Sequence, residues 1–221
     1  FELKNSHMPI LILRDLYLEY QGLTAQIDYV VIDTHFILVI ECKKMTGDIE
    51  ITNTGDFIRL FKNFAGKIYK REGIYSPLAQ NERHLELIKK ILSNNMEKLN
   101  ERKCKDLLHS IVVLANPKTI INMKYAKANI KKSIIRCDQL IAYMKNLHDQ
   151  NKDGYWLAES GMYKVAEALM AHHKENAVDF TQKYAQTPKM SQAEDINNRK
   201  LQLAEAPSIM IEETPIAVSY Y

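Results

Sequence analysis

The segment Phe36-Ile37-Leu38-Val39-Ile40 is apolar at every position and stops abruptly at Glu41-Cys42-Lys43-Lys44. A strand exposed on one face alternates apolar and polar residues; an unbroken run needs cover on both faces, so this segment is expected at the centre of a sheet sandwiched by helices. It is far shorter than the roughly 20 residues a membrane-crossing helix needs. Its charged end is therefore the place where a buried strand surfaces, and the chemistry of the chain is sought there.

The neighbouring segments support a sheet. Pro9 to Tyr20 and Ala25 to Ile32 read as strands separated by a turn at Gln21-Gly22. Gly47 and Gly55 punctuate further strand-like stretches at Asp48 to Thr52 and Phe57 to Phe64. Ser76-Pro77 has the form of a helix cap followed by a first-turn proline, and the apolar spacing from Leu78 to Leu92 predicts a helix over about 77–94. Leu107 to Ala115 reads as a second buried strand, Ile134 to Arg136 as a short one, and Cys137 to Asn146 and Gly161 to Glu175 as helices. Thr181 to Tyr221 holds three of the six prolines and many polar residues, and reads as a tail that need not pack. The expectation is an α/β fold with a central mixed β-sheet flanked by helices. Residues 1–150 form the principal domain, and 151–221 a helical extension and tail.

Strand parity sharpens the reading. Asp28, Val30 and Ile32 share one face of their strand, as do Ile37, Val39, Glu41 and Lys43 of the next. A two-residue loop (Thr34-His35) or a four-residue loop (Asp33 to Phe36) pairs 32 with 37, hence Asp28 with Glu41 and Gln26 with Lys43. Carboxylates that are directly opposed, with Cβ atoms about 5 Å apart, repel unless a cation lies between them. Hard oxygen donors favour Mg²⁺ or Mn²⁺, and a lysine beside them suits phosphodiester hydrolysis. The plainer alternative is a solvated strand end. It is weakened here because Gln26 and Asp28 interrupt a largely apolar segment and Glu41-x-Lys43 caps the most apolar strand.

Ala25-Gln26-Ile27-Asp28-Tyr29-Val30-Val31-Ile32, then Val39-Ile40-Glu41-Cys42-Lys43-Lys44 and Gly47-Asp48-Ile49, resemble the NERD (nuclease-related) domain, of the PD-(D/E)XK nuclease superfamily. Ser76-Pro77-Leu78-Ala79-Gln80-Asn81 with His84 resembles its helical motif. The resemblance implies a restriction-endonuclease-like core and a Mg²⁺-dependent hydrolase acting on nucleic acid, with DNA the expected substrate. It implies metal ligation by Asp28, Glu41 and the Cys42 backbone carbonyl, catalysis by Lys43, and a supporting role for Gln80. The chain departs from the family at Tyr29, Cys42, Phe57 and Ser76, where His, a small or branched residue, Trp and Asn are usual. The family's first-helix acid would fall before Phe1, and the start without Met leads to the expectation of upstream residues.

Other features are less specific. Gln80 and His84, four apart, share a helix face that can point at the hairpin or simply at solvent. Lys62, Lys67, Lys70 and Arg71, interleaved with Phe61, Phe64 and Tyr69, suit either a phosphate-tracking surface or a solvated edge. Lys124, Lys127, Lys131 and Lys132 would extend a basic face along a helix. His172-His173 reads as structural, and Cys42 as a small filler pointing away from Glu41 and Lys43.

The 30 basic and 27 acidic residues leave a net charge of +3, which excludes a histone-like, tail-driven binder. Cys42, Cys104 and Cys137 form no CxxC pair, so a zinc knuckle or disulfide framework is not indicated and a reducing cytoplasm is expected. Two rivals stay open: a catalytically inactive nuclease fold that binds nucleic acid, and a protein-interaction domain.

Overall fold

The structure is a computed structural model that describes residues 6–97 and 99–174, together with Leu3 and the pair Ser219–Tyr220. The first two strands, β1 (Leu11–Tyr20) and β2 (Leu23–Ile32), form an antiparallel hairpin with Tyr20 opposite Leu23. Gln21 and Gly22 between them have φ of 50° and 77°, the left-handed pair that a two-residue hairpin turn matched to strand twist requires.

The apolar run forms β3 (Ile37–Lys43), whose first five residues are buried. It pairs antiparallel with β2 and parallel with β7 (Leu108–Leu114). With the short β9 (Ile134–Arg136) and β10 (Ser219–Tyr220), the sheet runs β10-β1-β2-β3-β7-β9. A second sheet, in the order β6-β5-β4-β8, comprises β4 (Asp48–Ile51), β5 (Phe57–Lys62), β6 (Ile68–Ile74) and β8 (Ile121–Asn122).

Both faces of the central sheet are covered, as the unbroken apolar run requires. On one face Val30, Ile32, Ile37 and Val39 pack with Ile88 and Leu92 of α1 (Pro77–Asn95), Leu107 of α2 (Glu101–Leu107) and Val165 of α5 (Glu159–Met170). On the other, Val31, Phe36, Leu38 and Ile40 pack with Met144 and Leu147 of α4 (Leu140–Gln150). The α/β class, with a mixed sheet flanked by helices, is the one expected. The segment read as an extension from residue 151 supplies α5 to the same apolar cluster as α1.

Local expectations fare unevenly. Ser76 caps α1, its hydroxyl accepting from the Ala79 N–H at 3.5 Å, and Pro77 opens the helix. Helix α2 went unpredicted, because Glu101-Arg102-Lys103-Cys104-Lys105-Asp106-Leu107 buries only Cys104 and Leu107 and shows no apolar stripe. The basic helix is corrected: α3 covers only Ala128–Lys132, with Lys127 at its N-cap and Lys124 in the turn before it. The last predicted helix stops at Met170, and His173 then accepts the Tyr17 N–H on its Nδ1, docking the chain against β1. Most of the predicted tail lies outside the described residues. Ser219–Tyr220, however, pairs with Leu11 and Ile12, because the open edge of β1 offers unpaired backbone groups.

Candidate active site

The site is built where β2 and β3 part. Their ladder runs from Ile32↔Ile37 to Tyr29↔Ile40, the register expected from an even-length loop. It ends one pair short of Asp28 and Glu41. Instead of facing Glu41 across a continuing ladder, Asp28 turns its carboxylate into the seam, where Oδ2 accepts the Cys42 N–H at 2.7 Å. The pairing of β2 with β1 is also interrupted here: Arg14↔Tyr29 is followed by Leu16↔Ile27, and Asp15, which the ladder skips, has φ of 53°. The expected opposition of Asp28 and Glu41 is thus replaced by a side-chain-to-backbone bond at a strand break. Gln26 is corrected with it. Lying beyond the break, Gln26 faces Tyr17 and donates from Nε2 to Asp15 at 3.2 Å, so it does not meet Lys43.

Beyond the break β3 is held by β7, with Glu41 opposite Val112 and Lys43 opposite Leu114. The Ala115 N–H donates to the Lys43 carbonyl at 3.1 Å, and Asn116 and Thr119 both donate to the Met45 carbonyl. Gly47 ends this link at φ 83°, where a Cβ would lie 2.9 Å from the Leu60 carbonyl oxygen, so only glycine lets the chain pass into β4.

Strand parity puts Glu41 and Lys43 on the α1 face, and α1 meets them there. Asn81 is buried and donates from Nδ2 to the Ile111 carbonyl at 3.0 Å, pinning the first turns of α1 to β7. Gln80 and His84 then flank Glu41. Lys43 Nζ donates to Glu41 Oε1 at 2.5 Å and to Gln80 Oε1 at 3.2 Å. The second carboxylate oxygen, Glu41 Oε2, is buried without a hydrogen-bond partner, as is His84 Nδ1, 3.8 Å away.

The electrostatics follow from burial. Glu41 is 2% exposed, and loss of water raises its carboxyl above the ordinary value; the nearby Asp28 charge adds to this, while Lys43 and Gln80 oppose it. His84 is held down to about 4, by burial first and then by Arg83 and Lys43. It is therefore neutral at pH 7 and forms no ion pair with Glu41 despite their proximity. Cys42 points to the α4 face among Leu38 and Ile40, and burial with two nearby carboxylates pushes its thiol up to about 12. It is an inert filler there, not a nucleophile.

Among the described residues no three or more His, Cys, Asp or Glu side chains are grouped to hold a metal ion. A hard divalent cation that keeps several waters needs fewer. Two adjacent carboxylates, one with an orphaned buried oxygen, are a donor set that fits Mg²⁺ or Mn²⁺. His84 is the residue that sequence reasoning undervalued: its spacing from Gln80 was visible, but not its burial against Glu41.

The break in the hairpin thus brings Asp28, Glu41 and Lys43 together, and α1 adds Gln80. The chain belongs to the nuclease-related domain (NERD) family, whose model matches residues 1–115 of the 221. No curated protein matches the chain. Among solved structures, it is similar to the small subunit of the heterodimeric restriction endonuclease R.BspD6I, at 12% identity and a TM-score of 0.23, covering 77% of this chain and 84% of that one. No helix among the described residues is long and apolar enough to cross a membrane.

Proposed function

We propose that the protein is a metal-dependent nuclease that hydrolyses phosphodiester bonds, with DNA as its substrate. The observation that carries the reading is the buried Glu41 carboxylate: desolvated, beside Asp28, and with Oε2 unpartnered. A buried charge left in this way is costly unless something else answers it. Asp28, Glu41 and the Cys42 backbone carbonyl would hold Mg²⁺ or Mn²⁺, which when bound supplies Lewis-acid polarisation of the phosphate and an acidified water.

The chain's own residues supply the rest. Lys43 carries its ammonium beside Glu41, where it orients the attacking water and offsets negative charge building on the phosphate. Gln80 accepts from Lys43 and fixes the direction of its Nζ. Neutral His84, 4% exposed, closes the inner wall against water without adding a charge. The three free thiols suit a reducing cytoplasm.

One observation favours a second reading, a nucleic-acid-binding module that does not cut. Lys43 already neutralises Glu41 through a direct 2.5 Å contact, so an ammonium stands where a cation would help. Incubation of the full chain with linear, circular and single-stranded substrates under Mg²⁺ and Mn²⁺ separates the two. The nuclease reading expects cleavage that Asp28→Ala reduces by about a thousandfold or more. Equal activity in wild type and variant, or binding with neither cleavage nor a heat of Mg²⁺ binding, overturns it.

A further inference from the structure

Away from the candidate site, the hairpin of β5 and β6 presents exposed rings among cations. Its turn is firmly built: the Asn63 N–H donates to the Lys67 carbonyl at 3.0 Å, the Gly66 N–H to the Asn63 carbonyl at 2.9 Å, and the Lys67 N–H to Asn63 Oδ1 at 2.9 Å. This turn holds Phe64 wholly in solvent, at 113% relative exposure. Behind the tip, Phe61 and Tyr69 have ring centroids 6.3 Å apart, and Tyr69 is 69% exposed. Lys70 Nζ stands 5.2 Å and Arg59 Cζ 5.8 Å from the Phe61 centroid.

The charge on the hairpin points the same way. Its only acid between Phe57 and Ile74 is Glu72, against Arg59, Lys62, Lys67, Lys70 and Arg71. Lys62, Lys70 and Arg71 are answered by Asp48, Glu72 and Glu50, while Lys67 at the tip and Arg59 have no carboxylate partner among the described residues. A protein-binding patch gathers its apolar groups into one core and depletes it of charge. Here the Phe61 ring is instead bordered by Lys70 and Arg59, and Phe64 and Tyr69 stand exposed on the same cation-rich hairpin, the pattern that binds phosphates while bases stack on π-faces.

The hairpin is also continuous with the candidate site. β6 leads through the exposed Tyr75, which lies under the Arg83 guanidinium at 5.2 Å, into α1 and its neighbour His84. The seven residues of β6 span about 23 Å, so the tip stands several nucleotides' reach from the start of α1.

We propose that the β5–β6 hairpin is an arm that grips single-stranded nucleic acid, with Phe64 stacking on an unpaired base several nucleotides from the α1 end. This rests on the nuclease reading for what is done to the strand, but on different residues for how it is held. A duplex offers the tip no open base face, so single strands and strand junctions are the substrate class.

The test is fluorescence anisotropy of the full chain in EDTA with labelled oligothymidylate, oligouridylate and a blunt duplex. Wild type is expected to bind at least one single strand more tightly than the duplex. F64S should weaken that binding by about tenfold or more, with circular dichroism and thermal unfolding unchanged because the ring touches nothing. F64W should restore the affinity and show indole quenching on binding, and K67Q should lower the salt slope by about one. Preference for oligothymidylate or oligouridylate assigns the strand as DNA or RNA; either supports the arm. Equal affinity of wild type and F64S, or an F64S effect confined to self-association on sedimentation, overturns it. Cleavage with Phe64-independent binding refutes the arm and leaves the nuclease; Phe64-dependent binding with no cleavage under any divalent ion does the reverse.

Discussion

The two ends of the β2–β3 hairpin each bury a carboxylate beside a histidine and each leave one carboxylate oxygen unpartnered, but only at the turn is the carboxylate bonded to a histidine. At the turn, Asp33 is fully buried and its Oδ1 accepts the His35 N–H at 2.8 Å and bonds His148 Nδ1 at 2.7 Å, while the Leu157 N–H closes on the Thr34 carbonyl at 2.7 Å. At the open end Glu41 and His84 stand 3.8 Å apart, close but unbonded, with the facing oxygen and nitrogen both unpartnered. The same two strands thus hold a cluster whose carboxylate is bonded to its histidine and fastens α4 and the α5 approach to the sheet, although Asp33 Oδ2 and His35 Nδ1 stay unpartnered, and another in which Glu41 bonds Lys43 but not the histidine beside it. A buried carboxylate bonded to a neighbouring element stabilises a fold, while each oxygen left unbonded is kept at a cost.

Substitutions at the two ends should therefore separate activity from stability. Lys43→Ala is expected to lower cleavage by about a hundred- to a thousandfold, with the fold intact by circular dichroism. An equally active Lys43→Ala protein would remove the contrast between the ends. Next comes Asp33→Ala, which strips His148 and the turn of their acceptor and should cost about 3 kcal/mol in denaturant unfolding. Activity per folded molecule should be unchanged, and a loss of turnover without a loss of stability would show that the turn end is no mere fastening.

Acid should act through His84. Its folded-state value, about 4, lies below the ordinary 6.5, so the unfolded chain takes up a proton that the folded one refuses. The stability it contributes is present above pH 6.5 and is lost as pH falls toward 4, about 2 kcal/mol by pH 5. Glu41, raised by burial, works in the other direction, so the comparison is between wild type and His84→Gln in EDTA, where the variant should show the shallower acid slope. Equal slopes would mean that His84 titrates normally. The smallest effect is expected at Gln26→Ala, within about 0.5 kcal/mol and without a change in cleavage, because the side chain reaches only Asp15 on the exposed edge. A large loss of activity there would restore the Gln26–Lys43 approach that strand parity predicts.

These contrasts trace to what each residue's neighbours in sequence can specify. The unbroken run Phe36–Ile40 announced a strand buried on both faces, and period-two alternation then carried Glu41 and Lys43 onto the face of Val39 and Cys42 onto the face of Ile40. The Ser76-Pro77 cap located the start of α1, and with it the shared face of Gln80 and His84. All of this is local backbone geometry, which the order of residues states directly.

What only the tertiary structure decided lies at the joins between elements. Parity carried to Asp28 assumes that the ladder continues, but a carboxylate that can accept the Cys42 N–H competes with the carbonyl that would have done so, and the strands part there. His84 could not be separated from a surface histidine by spacing alone, because its burial depends on the depth at which Asn81 anchors the helix to β7. By itself the sequence determined which residues could meet. The long-range bonds that end one ladder and pin one helix determined that Glu41 meets Lys43, Gln80 and His84 with one oxygen left unanswered.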